Sequence, residues 1–190
     1  MRKLVVWNLM SLDGSFEGSD KWDLALHSTA WGDELAAFSL EQAEEIGTLL
    51  FGRVTYEGMA AHWQNETGPI ADFMNRVEKV VASRTLKEAD WNNSRLLEGE
   101  LPAAVEKLKH RPGKDIYVFG SADLVADLLE RELVDEYRIC IAPVVLGKGN
   151  PLFKPFDGML GMRLTRSLPL KTGAIILYYE PQYPASELAT

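Results

Sequence analysis

One cysteine, Cys140, stands in a chain of 190 residues, so no disulfide can form within it, and its apolar setting in Arg138-Ile139-Cys140-Ile141-Ala142 reads as a buried strand. Cationic side chains are also few. Twenty Lys and Arg against 28 Asp and Glu leave a net charge of -8, which excludes the broad basic footprint of a nucleic-acid binder. No apolar run approaches the roughly 18 residues that suggest a membrane span, and no signal-peptide core opens the sequence, so no membrane role and a cytoplasmic location are expected. The three histidines, His27, His62 and His110, lack metal-ligand spacing, and no metal is expected. Neither Gly-x-Gly-x-x-Gly nor Gly-x-x-x-x-Gly-Lys-Ser/Thr occurs, which removes the dinucleotide and P-loop fingerprints.

What is present suits one globular unit. At 46% hydrophobic and 25% charged, the chain can bury a sizeable core, and its length predicts a single domain over 1–181 followed by a flexible tail at 182–190. Lys3 to Met10 is a buried strand that stops at the turn Ser11 to Gly14, and a long loop reaches Trp31. Leu35, Phe38, Leu40, Ala43 and Ile46 recur at helical spacing from Asp33, with Gly47 as the stop. Buried strands follow at Thr48–Phe51, Lys79–Ser83 and Ile116–Phe119, with a weaker one at Ser94–Leu97. Helices are predicted over Arg53–His62, Leu101–His110 and Ala122–Glu132. After Val134 the pattern is strand-only: Tyr137–Val145, a Gly-rich loop at Leu146–Asn150, then strands near Met162–Leu168 and Ala174–Tyr179. The expected fold is α/β, a central mixed and mostly parallel sheet with antiparallel C-terminal strands and helices on both faces.

Two turns leave a strand through glycine and enter a helix: Gly52-Arg53-Val54-Thr55 and Gly120-Ser121-Ala122. Ligands of open α/β sheets sit beyond the carboxyl ends of the strands, and free N–H groups at a helix start favour an anion. Arg53 adds a forked cation, Thr55 a hydroxyl, and Ser83-Arg84-Thr85 a second such cluster after the next strand. Glycine is equally a common structural exit from a strand, so the turns alone leave both readings open.

The order of the pieces says more. Ser-Leu-Asp-Gly (11–14), Leu-Phe-Gly-Arg-Val-Thr-Tyr-Glu (50–57), Val-Ala-Ser-Arg-Thr-Leu (81–86), Val-Phe-Gly-Ser (118–121), Val-Asp-Glu-Tyr (134–137) and Ala-Pro-Val-Val-Leu-Gly-Lys-Gly (142–149) together resemble the dihydrofolate reductase-like superfamily. The series is most similar to the branch containing the reductase domain of bacterial riboflavin biosynthesis, from Lys3 to Tyr179. The resemblance implies a three-layer fold, NADPH as cofactor and a homodimer. It implies that Gly52, Arg53 and Thr55 hold the cofactor phosphates, that Ser83 and Arg84 lie near the 2′-phosphate, and that Gly120, Ser121 and Ala122 cover the pyrophosphate from the other side. Folate enzymes usually carry two glycines at that second turn, and Ser121 in place of the second favours a non-folate substrate.

For the acceptor, the resemblance points to an acid early in the first helix, here Asp33, and places Asp13 near the nicotinamide. Each has a plainer role: Asp33 as helix N-cap, Asp13 in shaping its turn. Trp22 and Trp31 bracket the active-site loop, and the loop Pro143–Gly149 is either a binding loop or a connection. The expected activity is NADPH-dependent hydride transfer to a small pterin- or pyrimidine-like heterocycle. Two alternatives stand beside it. One is a standalone 5-amino-6-(5-phosphoribosylamino)uracil reductase, without the His-x-Glu and Pro-Cys-x-x-Cys motifs of the usual fused deaminase. The other is a non-catalytic nucleotide-binding protein on the same fold.

Overall fold

Strand β1 (Leu4–Met10) runs through the middle of the molecule, paired in parallel with β6 (Asp115–Phe119) on one side and β7 (Glu136–Ile141) on the other. The computed structural model describes residues 1–184. Beyond β6 lie β3 (Ile46–Gly52), β4 (Glu78–Ala82) and β5 (Ser94–Leu96), all parallel. Beyond β7 lies β10 (Ile175–Gln182), antiparallel, and then β9 (Gly161–Pro169) at the edge. The eight-stranded order is β5-β4-β3-β6-β1-β7-β10-β9, and a small second sheet pairs β2 (Ser15–Glu17) with β8 (Asn150–Pro151). The inner strands are near-continuous apolar runs because both faces are covered, as a parallel sheet requires.

One face is covered by α5 (Leu101–His110) and α6 (Ala122–Glu130), whose Val105, Leu108, Leu124, Val125 and Leu128 pack on Leu4, Val6, Leu50, Ile116 and Val118. The other carries α1 (His27–Ala30) and α2 (Asp33–Ala43) over Leu9, Cys140 and Ile176, and α3 (Arg53–Trp63) and α4 (Pro69–Arg76) over Val5, Leu49, Phe51 and Val81. Each fully buried aliphatic or phenyl side chain contributes roughly 1.5–3 kcal/mol of hydrophobic free energy. The expected α/β architecture, with helices on both faces and antiparallel strands at the C-terminal end, is the one observed.

Several boundaries differ. Gly47 is not a helix stop but the second residue of β3; a Cβ there would lie 2.8 Å from the Lys114 carbonyl oxygen, so only glycine lets β3 and the start of β6 approach. Helix α2 therefore ends at Ala43. The strand expected to reach Val145 ends at Ile141, just before Pro143, which has no N–H for a ladder. Helices α1 and α4 and the β2–β8 pair were not anticipated. Of the tail expected at 182–190, Gln182 belongs to β10 and the Tyr183 hydroxyl donates to the Val134 carbonyl at 3.1 Å, while residues 185–190 lie outside those described.

Lys79 is fully buried, and its ammonium is hydrogen-bonded to the carbonyls of Met74, Asn75 and Val77 at 2.8, 3.3 and 2.8 Å, closing the C-terminal end of α4 over the Trp91 ring. Among the described residues no helix is long and apolar enough to cross a membrane.

Candidate active site

A cleft of about 480 Å³ opens at the carboxyl ends of β1, β3 and β6, where an open α/β sheet presents its ligand site. Trp7, Asn8 and Leu9 of β1 line its floor. The turn Gly120–Ala122 and Thr55 close one end, while Leu35, Ser39 and Gln42 of α2 face Met59 and Trp63 of α3 and Phe73 and Met74 of α4 at the other. The α2 residues fall at successive turns of one helix face, which brings them into the same wall.

The two glycine turns meet. A Cβ at Gly52 would overlap the Ser121 hydroxyl, and one at Gly120 would stand 3.4 Å from the Thr55 methyl. Gly120 and Ser121 both have φ +67°, and for Ser121 this left-handed conformation costs roughly 1–2 kcal/mol. No side chain caps α3 or α6, so the first-turn N–H groups of both helices remain free of intrahelical partners at the cleft. Asn8 Oδ1 accepts from the Gly120 N–H at 3.1 Å, and its Nδ2 is buried without a partner among the described residues.

Of the cofactor-binding residues expected, Thr55, Gly120, Ser121 and Ala122 line the cleft and Gly52 adjoins it. Arg53 is exposed and paired with Glu57 at 3.0 Å, a surface i,i+4 contact worth about 0.3–0.5 kcal/mol that a phosphate can displace. Ser83 and Arg84 lie outside the cleft, just past Ala82, which is in register with Gly52. The Ser83 hydroxyl accepts from the Thr85 and Leu86 N–H groups at 3.2 and 2.9 Å, and Arg84 is exposed.

Neither carboxylate considered for proton chemistry lines the cleft. Asp33 is an exposed first-turn residue of α2, and Gly32, rather than Asp33, holds the N-cap position. Asp13 accepts from the Ser11 hydroxyl at 2.6 Å and from the Gly147 and Leu146 N–H groups at 2.8 and 3.2 Å. The hydroxyl first, then the two amides, hold its carboxyl down at about 2. It is therefore ionised at neutral pH and ties the loop at Leu146 and Gly147 to the first turn; it has no proton to give there.

Of the tryptophans at the cleft, only Trp22 and Trp31 were expected to flank a functional loop. Trp7, Trp22, Trp31 and Trp63 all line the cleft, and Trp22, at φ +66°, lies on Gly58 of α3. The Trp22 N–H donates to Glu17, whose second oxygen accepts from Asn150 at 2.8 Å, so the loop is tied on two sides. His27 also lines the cleft; its ring makes no hydrogen bond among the described residues, and burial pushes its imidazole below the ordinary value, leaving it neutral at neutral pH. Gln42, 3% exposed, accepts from Arg138 Nη1 at 3.2 Å through Oε1.

Comparison with known proteins bears on the family and the fold. The sequence profile of the RibD C-terminal domain family matches residues 2–176. The uncharacterized protein YyaP of Bacillus subtilis (strain 168) is 28% identical over 186 residues, 94% of each chain. Among solved structures, one from Shewanella sp. PV-4 named for riboflavin biosynthesis superposes with a TM-score of 0.76 at 20% identity, covering 95% of this chain and 99% of its own. Dihydrofolate reductase from Enterococcus faecalis, solved with NADP(H), gives 0.63 at 14% identity over 95% and 97%. The three-layer fold is thus dihydrofolate reductase-like.

Proposed function

Because this chain belongs to the RibD C-terminal domain family, we propose that it is a reductase that uses NADPH to reduce a small, pterin- or pyrimidine-like heterocycle. The observation that carries the reading is the meeting of the two glycine turns, Gly52 against Ser121 and Gly120 against Thr55, which gathers two uncapped helix starts at one end of a mostly apolar cleft. That arrangement suits a pyrophosphate, and the buried Nδ2 of Asn8 beside it is a donor in need of an acceptor. When bound, the dihydronicotinamide supplies the hydride. The chain's own contribution is to orient and to exclude water: the Trp22 loop roofs the cleft, and the four indoles give flat apolar walls.

Arg53, Ser83 and Arg84 fall along neighbouring strand ends, so the 2′-phosphate is assigned to this edge. Binding of NADPH and NADH, followed by nicotinamide fluorescence, tests the assignment. Arg53→Ala is expected to raise the Kd for NADPH roughly tenfold, about 1.4 kcal/mol. A loss confined to NADPH puts Arg53 at the 2′-phosphate, an equal loss with NADH puts it at the pyrophosphate, and tight binding of neither nucleotide by the native protein removes the reading. A cytoplasmic homodimer belongs to the same proposal; the exposed edge strand β9, with Leu164 half out of the protein, supports the dimer, which a solution mass tests.

A further inference from the structure

Building on the NADPH reading above, we infer that Asn8 holds the nicotinamide end of the cofactor, its Nδ2 donating to the carboxamide oxygen.

A backbone amide only donates, so the bond from the Gly120 N–H to Asn8 Oδ1 at 3.1 Å fixes which way the side-chain amide faces. Turning it over would set an NH₂ against an N–H. Nδ2 is the atom left over, and it is buried without a partner among the described residues, in a cleft-lining residue only 6% exposed. Buried donors are seldom left unanswered, and at a ligand cleft the acceptor is one that the ligand brings.

The place of Asn8 on β1 narrows which oxygen that is. Successive strand residues point to opposite faces. Leu4 and Val6 pack with the core of α5 and α6, whereas Val5, Trp7 and Leu9 pack with the clusters beneath α1 to α4. Asn8 therefore falls on the α6 side, against the turn that opens that helix, and away from the wall of α2, α3 and α4 at the other end of the cleft. An oxygen that reaches it belongs to the molecule held by the turn.

That molecule offers charged and neutral oxygens. Those of a pyrophosphate are hydrated anions, and the uncapped starts of α3 and α6 supply free amides for them. The Gly120 N–H is not among these, being spent on Asn8. Nδ2 is neutral and closed to solvent, which suits a neutral carbonyl delivered on a flat ring. By holding that oxygen, Asn8 fixes the rotation of the ring about its glycosidic bond and so selects the ring face turned towards the acceptor. One side chain then sets both the phosphate turn and the ring. The pterin- or pyrimidine-like acceptor is left to the wall of α2, α3 and α4.

Three probes test this by titration calorimetry, without turnover: NADPH, its thionicotinamide analogue with sulfur in place of the carboxamide oxygen, and 2′-phosphoadenosine diphosphoribose, which lacks the nicotinamide altogether. The native protein should prefer NADPH to each of the other two by at least roughly tenfold, the scale of one hydrogen bond from a buried donor. Asn8→Leu loosens the Gly120 turn and weakens all three, so the readout is their ratio: the preference for oxygen over sulfur should shrink to about twofold. Asn8→Asp keeps an acceptor for the Gly120 N–H, which guards against a collapsed turn, and at about pH 8, with its carboxylate ionised, it should lose the preference likewise. A preference that survives either substitution, or a native protein indifferent to the exchange of oxygen for sulfur, overturns the inference. Native binding of the diphosphoribose as tight as that of NADPH sinks the inference alone. Binding of neither sinks the cofactor reading as well.

Discussion

The indole of Trp22 rests on Gly58, so closely that a Cβ at position 58 would overlap the ring. A helix interior normally disfavours glycine by about 1 kcal/mol relative to alanine, so its presence in α3 reflects the indole above it. Trp22 is held there in a left-handed backbone conformation, φ +66°, tied to Glu17.

Gly58→Ala should therefore separate stability from binding. Helix propensity improves by about 1 kcal/mol, while the added methyl displaces Trp22 and unroofs the cleft. The expected result is a melting temperature equal to or above the native one together with NADPH affinity reduced roughly tenfold. Thermal denaturation and a nucleotide titration on the same preparation check both halves; unchanged affinity would show that the Trp22 loop plays no part in closing the site.

Asp13 gives a pH signature. Its carboxyl is held from the ordinary 3.8 down to about 2 by Ser11, Gly147 and Leu146. A depressed folded value contributes stability that is present above the ordinary value and lost as pH falls through the folded one. Asp13→Ala should lower the urea midpoint at neutral pH, and the gap from the native protein should narrow as pH falls from about 4 towards 2. A gap that stays constant across that range would deny the carboxylate its role in holding the loop at Leu146 and Gly147.

Lys79→Met is expected to destabilise the protein by roughly 1–3 kcal/mol, because it leaves buried carbonyls at the end of α4 without donors. Equilibrium denaturation measures this. A neutral result would mean that those carbonyls find other partners when the ammonium is removed.

Much of the sheet was legible because its inner strands are short apolar runs ended by glycine or proline, and because α5 and α6 show one clear apolar face. Gly47 misled because glycine after a helical pattern reads as a stop, and only the Lys114 carbonyl, 67 positions away, explains it. Helix α4 did leave a trace: Pro69 at its start and Ile70, Phe73 and Met74 at helical spacing, though eight residues give little length to recognise. The two glycine turns at the cleft were readable since backbone turns carry their own glycine signature. The wall formed by α2 was not. Gln42 looks like any polar residue on an exposed helix face until Arg138, 96 positions later, is seen to bury and orient it. Likewise Asp33 and Asp13 attracted attention as acids near a loop, when one is at the surface and the other is consumed by backbone amides.

Asn8 ties folding to ligand capture. Its side chain spends its oxygen on the Gly120 N–H and leaves its nitrogen buried and unanswered, a condition that costs a protein about 1–3 kcal/mol. A molecule that brings an acceptor to that nitrogen recovers the cost. Part of the affinity is then written into the chain while it folds, as a frustration in β1 that the bound state relieves. An apolar residue at position 8 would remove the unanswered nitrogen but would also strip the Gly120 N–H of its acceptor, so the strain in β1 cannot be shed without loosening the turn.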